Sequence, residues 1–424
     1  MRITVIGFGT RGDVSPLITL ASRLRAAGHH PRVATHAEFE APARSQGLDF
    51  HLIPGSYQAL VSSAEGRHAL GVPNNSPLGL TGLFQPFRDC AESVFREAHA
   101  ASADAEAIVS SPLASLVATP LARSRDLPLV VASPIPPLGS RHQQAHAFPA
   151  WRLGPVYNRL TQVLSQALVA YGASQVFAAW RREAAAIAPP ASARPARLVT
   201  LVGSSPVVVP RPPDWPTTTH VTGYWFPPRG NAPAASDDLR AFVEAGEPPI
   251  CLGFGSMADD NPAELRAIVL DAVTRLRQRA VIVGGSGGAL SNFDHPAIFE
   301  TPFADYDWLF RRVSVVVHQG GAGTAAYCFT AGVPQVVVQY CLDHAFWAGR
   351  LHDLGVAPRS TTRSRLTGAR LAEMIGRAVG DPCYRRRAAD LAPRIAAEHG
   401  LELAARIVTA HLESRSRSGS GTSS

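Results

Sequence analysis

The run Val313-Ser-Val-Val-Val317, continuing directly into His318-Gln-Gly-Gly-Ala-Gly-Thr324, decides how this chain reads. The valines predict a strand, the glycines a sharp turn, and the residues that follow are compatible with a helix. A strand that ends in a glycine-rich turn presents the unpaired backbone N–H groups of a helix start, which attract phosphate or diphosphate. Glycine permits close backbone approach and positive φ, Thr324 offers a hydroxyl, and His318 adds a hydrogen-bonding ring at the strand end. The segment predicts a nucleotide diphosphate site. The competing reading is a tight turn whose glycines serve packing alone.

Working outward, 424 residues with 46% hydrophobic content exceed one comfortable core and predict two domains. No run of about 18 apolar residues occurs, so no membrane span is expected. Met1-Arg-Ile-Thr-Val-Ile-Gly7 turns polar too soon for a signal peptide, which predicts a cytoplasmic protein. The five cysteines (Cys90, Cys251, Cys328, Cys341, Cys383) are odd in number, widely spaced and without a C-x-x-C pair. They read as reduced core thiols. All 40 basic residues are arginine. A chain without lysine has no Schiff-base lysine, pyridoxal phosphate anchor or P-loop lysine. The formal net charge of +7 comes from dispersed arginines, with no basic run interleaved with aromatics, so nucleic acid is not an expected partner.

The first 35 residues read as strand, loop and helix. Residues 2 to 8 alternate as a strand, and the chain turns through Gly9-Thr-Arg-Gly-Asp-Val14. Ser15 reads as an N-cap and Pro16 as the first helical position, with apolar residues at helical spacing up to Gly28. Further strands are expected near 32–35, 49–53, 107–110, 129–133 and 198–202. Proline is dense from Pro206 to Pro233, which marks a boundary. A second series follows: strands near 249–254, 280–284, 297–301, 313–317 and 335–339, a helix over 261–277, and a last helix over 384–412. Ser414 to Ser424 reads as a disordered tail. Such alternation predicts α/β domains with parallel sheets, and ligands in a crevice at the strands' carboxyl ends.

Several motifs then resemble one family. Gly9-Thr-Arg-Gly-Asp-Val-Ser-Pro16, Asp307-Trp-Leu-Phe310, His318 to Thr324, Gly332-Val-Pro334 and Asp343-His-Ala-Phe-Trp-Ala348 look like the GT-B nucleotide-sugar glycosyltransferases. The wording is nearest to the sterol glucosyltransferases and the bacterial natural-product glycosyltransferases. The match is specific in the first 35 residues and from Cys251 to Pro358, and absent from 56–194. The resemblance implies a GT-B fold of two Rossmann-like domains facing an interdomain cleft. Residues 1–212 would bind the acceptor, 213–235 would link, and 236–413 would bind the nucleotide sugar, with the last helix able to pack back on the first domain. His318, Gly320, Gly321, Ala322, Gly323 and Thr324 would hold the diphosphate, with Ser256 reaching it from the opposite side. Phe303 and Trp308 would lie in the nucleobase region, although Trp308 also reads as core. Asp343 matches the family's sugar-contacting acid. The following glutamine of the family is here His344, and both residues also read as caps of the helix they open.

Glycosyl transfer needs an acceptor oxygen made nucleophilic, a stabilised leaving diphosphate and a sugar open to attack from the opposite face. Asp13, beside a helix start that favours its ionised form, reads as the general base. Its bland role is to bind loop amides. The helix start at Ala322 to Thr324 and His318 would stabilise the leaving group, so neither a metal nor a cofactor beyond the nucleotide sugar is expected. Asp305-Tyr-Asp307 spells D-x-D but reads better as a helix N-terminal signal, as does Asp259-Asp260. Phe84, Phe87, Phe95, Trp151, Tyr157, Tyr171, Phe177 and Trp180 are candidates for an apolar acceptor pocket, or for ordinary core. Three alternatives stay open: a nucleotide-sugar epimerase, a non-catalytic nucleotide-sugar-binding partner, and a dinucleotide-binding oxidoreductase. The last rests on Gly7-Phe-Gly-Thr-Arg-Gly12, against which stands the late helix start and the absence of an acid after Thr35-His36.

Overall fold

The computed structural model describes residues 1–72, 74–136, 139–149, 151, 153–187, 198–228, 235–255, 257–284 and 290–419, with side chains as far as 413. β1 (Arg2–Ile6), β2 (His30–Thr35), β3 (Asp49–Leu52), β4 (Ala107–Ser110), β5 (Leu129–Ser133), β6 (Leu198–Val202) and β7 (Thr219–Val221) form one sheet, in the order β3-β2-β1-β4-β5-β6-β7. β8 (Ile250–Leu252), β9 (Ala280–Val283), β10 (Ile298–Thr301), β11 (Val315–His318), β12 (Gln335–Gln339) and β13 (Thr361–Thr362) form the other, in the order β10-β9-β8-β11-β12-β13. Pairing is parallel throughout, for instance Val5 with Val33 and Val317 with Leu252. β4, β5, β8 and β11 are buried along their whole length, which is why they read as unbroken apolar runs.

Chain order reverses between β1 and β4 in the first sheet and between β8 and β11 in the second. At such a reversal the connections leave in opposite directions and open a crevice at the carboxyl ends. The segments after β1 and β11 are the two glycine-bearing loops singled out by the sequence.

The structure corrects several local expectations. The first helix is Arg11–Ala26, with Thr10 at its N-cap, so Ser15 and Pro16 lie inside it. Pro16 has no N–H and leaves the Gly12 carbonyl without its usual helical donor. This early start removes one argument against the dinucleotide reading; the missing acid after β2 remains. β7 lies inside the stretch expected to link, and β13 was not anticipated. The expected last helix is two, Pro382–Ala396 and Gly400–Gly419, broken at His399, which takes a φ of 48°. The second of these runs into the stretch expected to be disordered. Finally, Cys383 is exposed, unlike the buried Cys251, Cys328 and Cys341.

The helix Gly400–Gly419 returns to the first sheet. Leu401, Ala404, Ala405, Val408 and Leu412 pack with Leu17, Leu20, Ala21 and Leu24 of the first helix. Other contacts tie the halves together: Arg67 Nε donates to Asp260 Oδ1 at 2.6 Å, and the Asn75 N–H donates to the Tyr340 carbonyl at 3.0 Å. Among the described residues no helix is long and apolar enough to cross a membrane.

Candidate active site

Asp13 is the third residue of the first helix. Its Oδ2 accepts from the Thr10 N–H at 2.8 Å and from the Thr10 hydroxyl at 3.1 Å, one arm of a capping box. Gly9, at φ 134°, makes this fold-back possible, because a Cβ there would sit 2.4 Å from Asp13 Oδ2. Ser111 pins the same loop from β4, its Oγ accepting from the Phe8 N–H at 3.0 Å. Burial raises the Asp13 pKa, while the two Thr10 hydrogen bonds hold it down.

Across the cleft, the helix Ala322–Ala331 begins at Gly321, which supplies no side-chain cap. The first N–H groups of that helix, on Ala322, Gly323 and Thr324, therefore lack intrahelical partners and favour an anion. Gly320 has a φ of 97°, and a Cβ there would press on Val337 and on the His344 carbonyl, so the turn needs glycine. His318 is fully buried. Its Nδ1 accepts from the Gly320 N–H at 3.1 Å, so its proton is on Nε2, which faces Gln335 Oε1 at 2.9 Å. Burial pushes the ring down to about 4, against the Gln335 hydrogen bond, which leaves it neutral near pH 7. Both ring nitrogens are thus engaged inside the protein, where they hold the turn. His318→Ala would strand the Gly320 N–H and the Gln335 side chain in a buried place. It is expected to cost about 2–4 kcal/mol of stability and to weaken the binding of a nucleoside diphosphate. Thermal unfolding and calorimetric titration check both, and unchanged nucleotide affinity would mean that the turn holds without the ring.

Asp343 occupies the N-cap position of the helix His344–Asp353, but its side chain does not cap. Its Oδ2 instead accepts from the Trp347 indole N–H at 2.9 Å. Its carboxyl is pushed up to about 6 by burial and by the charge of Asp13, against that indole hydrogen bond. Asp343 in one half therefore feels the charge of Asp13 in the other. His344 Nδ1 accepts from the Tyr340 and Cys341 N–H groups, both at 3.2 Å, which places its proton on Nε2. Burial, and then the nearby His318, lower its pKa to about 3.

The sequence matches known protein families in both halves. Residues 3–124 match the glycosyltransferase family 28 N-terminal domain, and residues 272–409 match the C-terminal domain described as erythromycin biosynthesis protein CIII-like. The O-mycaminosyltylonolide 6-deoxyallosyltransferase of Streptomyces fradiae is 31% identical over 98% of this chain and 98% of its own. The chain belongs to the GT-B glycosyltransferases. A sterol 3-beta-glucosyltransferase of Aspergillus clavatus is 29% identical over 97% of this glycosyltransferase, which spans 30% of that relative's length. The crystal structure of the glycotransferase of kitacinnamycin shares the fold, with a TM-score of 0.72 at 19% identity over 97% of this chain and 99% of its own.

The glycosyltransferase arranges the remaining predicted residues less uniformly. Phe303 is 60% exposed. Trp308 is half-buried beside the second sheet's core, with the guanidinium groups of Arg240 and Arg312 5.3 and 4.8 Å from its ring centre. Ser256 lies outside the described residues. Asp305 caps the helix Tyr306–Leu309, accepting from the Asp307 N–H at 3.0 Å, and Asp307 pairs with Arg311. Phe84, Phe87, Phe95 and Trp180 are buried core, whereas Trp151 and Tyr171 are exposed.

Sequence reasoning missed the residues that orient these groups. Thr10 was legible from the Thr10-x-x-Asp13 spacing of a capping box, and Trp347 from its position one turn after Asp343. Gln335 and Ser111 carry no local signal, because only strand pairing brings them to the loops they hold.

Proposed function

We propose that this glycosyltransferase is inverting and metal-independent, and moves a hexose or deoxyhexose from a UDP- or TDP-sugar to a hydroxyl of a hydrophobic small-molecule acceptor, a natural product, sterol or flavonoid-like compound, in the cytoplasm. The carrying observation is that Asp13 and Asp343, which come from opposite halves of the chain, lie near enough for the charge of Asp13 to raise the pKa of Asp343. The acceptor oxygen gives its proton to Asp13 and attacks the anomeric carbon. The bond from that carbon to the diphosphate oxygen breaks, and the nucleoside diphosphate leaves with the electron pair. The N–H groups of Ala322, Gly323 and Thr324 meet the charge that develops. Asp343 and the Nε2 proton of His344 hold sugar hydroxyls. A single displacement inverts the anomeric centre. The Streptomyces relative's name gives a 6-deoxyallosyl group and O-mycaminosyltylonolide, and the Aspergillus relative's gives sterol glucosylation, which supports both sugar classes and an apolar acceptor.

The test is a panel of UDP- and TDP-sugars with hydrophobic alcohols and phenols in the presence of a chelator. Mass spectrometry should find one added hexose or deoxyhexose, and NMR should find inverted anomeric configuration. A rate that a chelator abolishes, or a retained configuration, would overturn the mechanism; isomerised donor alone would favour an epimerase. Asp343 must be ionised to accept from sugar hydroxyls, so turnover should fall as pH drops through about 6. Trp347→Phe removes the indole hydrogen bond that holds this carboxyl down, so that limb should move to higher pH.

A further inference from the structure

We propose that Asn75 is a positioning residue for the transfer: it reaches from the first half of the chain to fix the turn that carries Asp343. This rests on the transferase reading above. Asn75 lies within 56–194, where the chain carries no family wording, so the resemblance does not supply the assignment.

The turn needs holding. Tyr340 to Asp343 join β12 to the helix His344–Asp353, and Leu342 takes a φ of 54° there. Leucine keeps a left-handed backbone where its surroundings over-determine it. Part of the hold is local: the Tyr340 and Cys341 N–H groups donate to His344 Nδ1, and the Tyr340 hydroxyl donates to Asp259 Oδ2 at 3.1 Å. A further part comes from the first half. The Asn75 N–H donates to the Tyr340 carbonyl at 3.0 Å, and Asn75 Nδ2 donates to Gln339 Oε1 at 3.1 Å. Gln339 Nε2 donates to Ser360 Oγ at 2.6 Å, which leaves its amide oxygen as the atom turned to Asn75.

One residue thus grips two neighbours, and it does so at a φ of 51°, which asparagine tolerates better than most residues. Asn75 Oδ1 is buried without a protein partner among the described residues, and an unpaired buried acceptor costs free energy. Glycine would hold the same φ without that cost, so the bond from Nδ2 to Gln339 is what the asparagine adds. The grip has a firm base. Leu70 and Val72 belong to the same buried apolar cluster as Tyr340 and Cys341. Arg67 donates through Nη1 to the Val61 and Ser62 carbonyls at 3.3 and 2.8 Å, and through Nε to Asp260 Oδ1 at 2.6 Å. Asp260 adjoins Asp259, the partner of the Tyr340 hydroxyl, so this segment of the first half meets the second at two linked points. Asp13 comes with the first half and Asp343 with the second, and a misplacement of about 1 Å between reacting groups can cost about 100-fold in rate.

Asn75→Gly tests this, because it keeps the φ and the N–H and deletes the side-chain bond. The variant should hold its thermal midpoint within about 3 °C. Calorimetric affinity for UDP and TDP should stay within about twofold, since the helix start at Ala322 is untouched, while kcat with an acceptor from the panel above falls about tenfold. Gln339→Leu removes the same bond from the other side, and the double variant should be no slower than the slower single one. A further reading needs no turnover. With 5-fluorotryptophan in place of the six tryptophans, the fluorine NMR signal absent from Trp347→Phe reports the indole that donates to Asp343 Oδ2, and it should shift in Asn75→Gly. A wild-type kcat in Asn75→Gly, a rate loss that merely tracks lost stability, or an unmoved Trp347 signal would overturn the assignment. Absence of transfer by the wild type to any acceptor fails the transferase reading instead, and the fluorine shift then judges the hold of Asn75 on the turn by itself.

Discussion

Asp13→Asn is expected to leave nucleotide diphosphate affinity unchanged within about twofold and to lower kcat/KM by about 10³-fold, on the order of 4 kcal/mol of transition-state stabilisation. The amide oxygen can still accept from the Thr10 N–H and hydroxyl, so the loop keeps its shape, but the amide cannot take a proton from the acceptor. Burial makes Asp13 a stronger base than an exposed carboxylate, and the cost of that strength is protonation at higher pH. A second consequence separates the catalytic role from a structural one. The charge of Asp13 raises the Asp343 pKa, and a neutral asparagine removes that contribution, so the limb near pH 6 should shift downward in the residual activity of the variant. Unchanged turnover with a verified acceptor would remove Asp13 from the mechanism. A rate loss that merely followed lost nucleotide binding would make the residue a loop anchor.

Both site loops were legible in the chain because each combines a local signal with a topological one. Val315 to Val317 form a strand for the reason the sequence suggests, burial on both faces, and Gly320 and Gly321 turn it for the reason glycine always can. The start of the first helix was misplaced because Pro16 outweighed a weaker cue. The reciprocal hydrogen bond from the Thr10 N–H to Asp13 begins the helix earlier, and the proline is carried inside it. His318 shows a different limit. Its residue type and place beside the turn suggested a ligand contact, but whether a ring nitrogen faces a ligand or the protein depends on Gln335, one strand away and 17 positions later. The aromatic candidates for an acceptor pocket divide for the same reason, since composition alone does not distinguish Trp180 in the core from Trp151 on the surface.

Asp259→Ala is the substitution expected to cost the most stability, although the sequence offered Asp259 only as a helix signal. Asn261 caps the helix Pro262–Leu276 instead, accepting from the Glu264 N–H at 3.1 Å. Asp259 is buried and accepts from Arg363 Nε at 2.7 Å, Arg363 Nη2 at 3.1 Å, the Tyr340 hydroxyl at 3.1 Å and the Asn261 N–H at 2.9 Å. Arg363 is equally buried, and its remaining bond goes to Glu264 Oε2 at 3.0 Å. Removing the carboxylate leaves a guanidinium with half its partners in a place water does not reach, a loss of about 3–5 kcal/mol. Asp271→Ala, which breaks the exposed i,i+4 pair with Arg275, should cost below about 1 kcal/mol. The double variant Asp259→Leu with Arg363→Met removes both charges together and should recover most of the loss, because a buried pair breaks roughly even against apolar packing. Urea unfolding of the four proteins measures this series, and equal midpoints for Asp259→Ala and Asp271→Ala would sink it. The effect should also reach the site. Asp259 lies in the loop after β8, and Tyr340 lies three residues before Asp343, so this one carboxylate ties together two of the segments that border the cleft. The single variant is accordingly expected to lose nucleotide affinity along with stability, which Asp13→Asn is not.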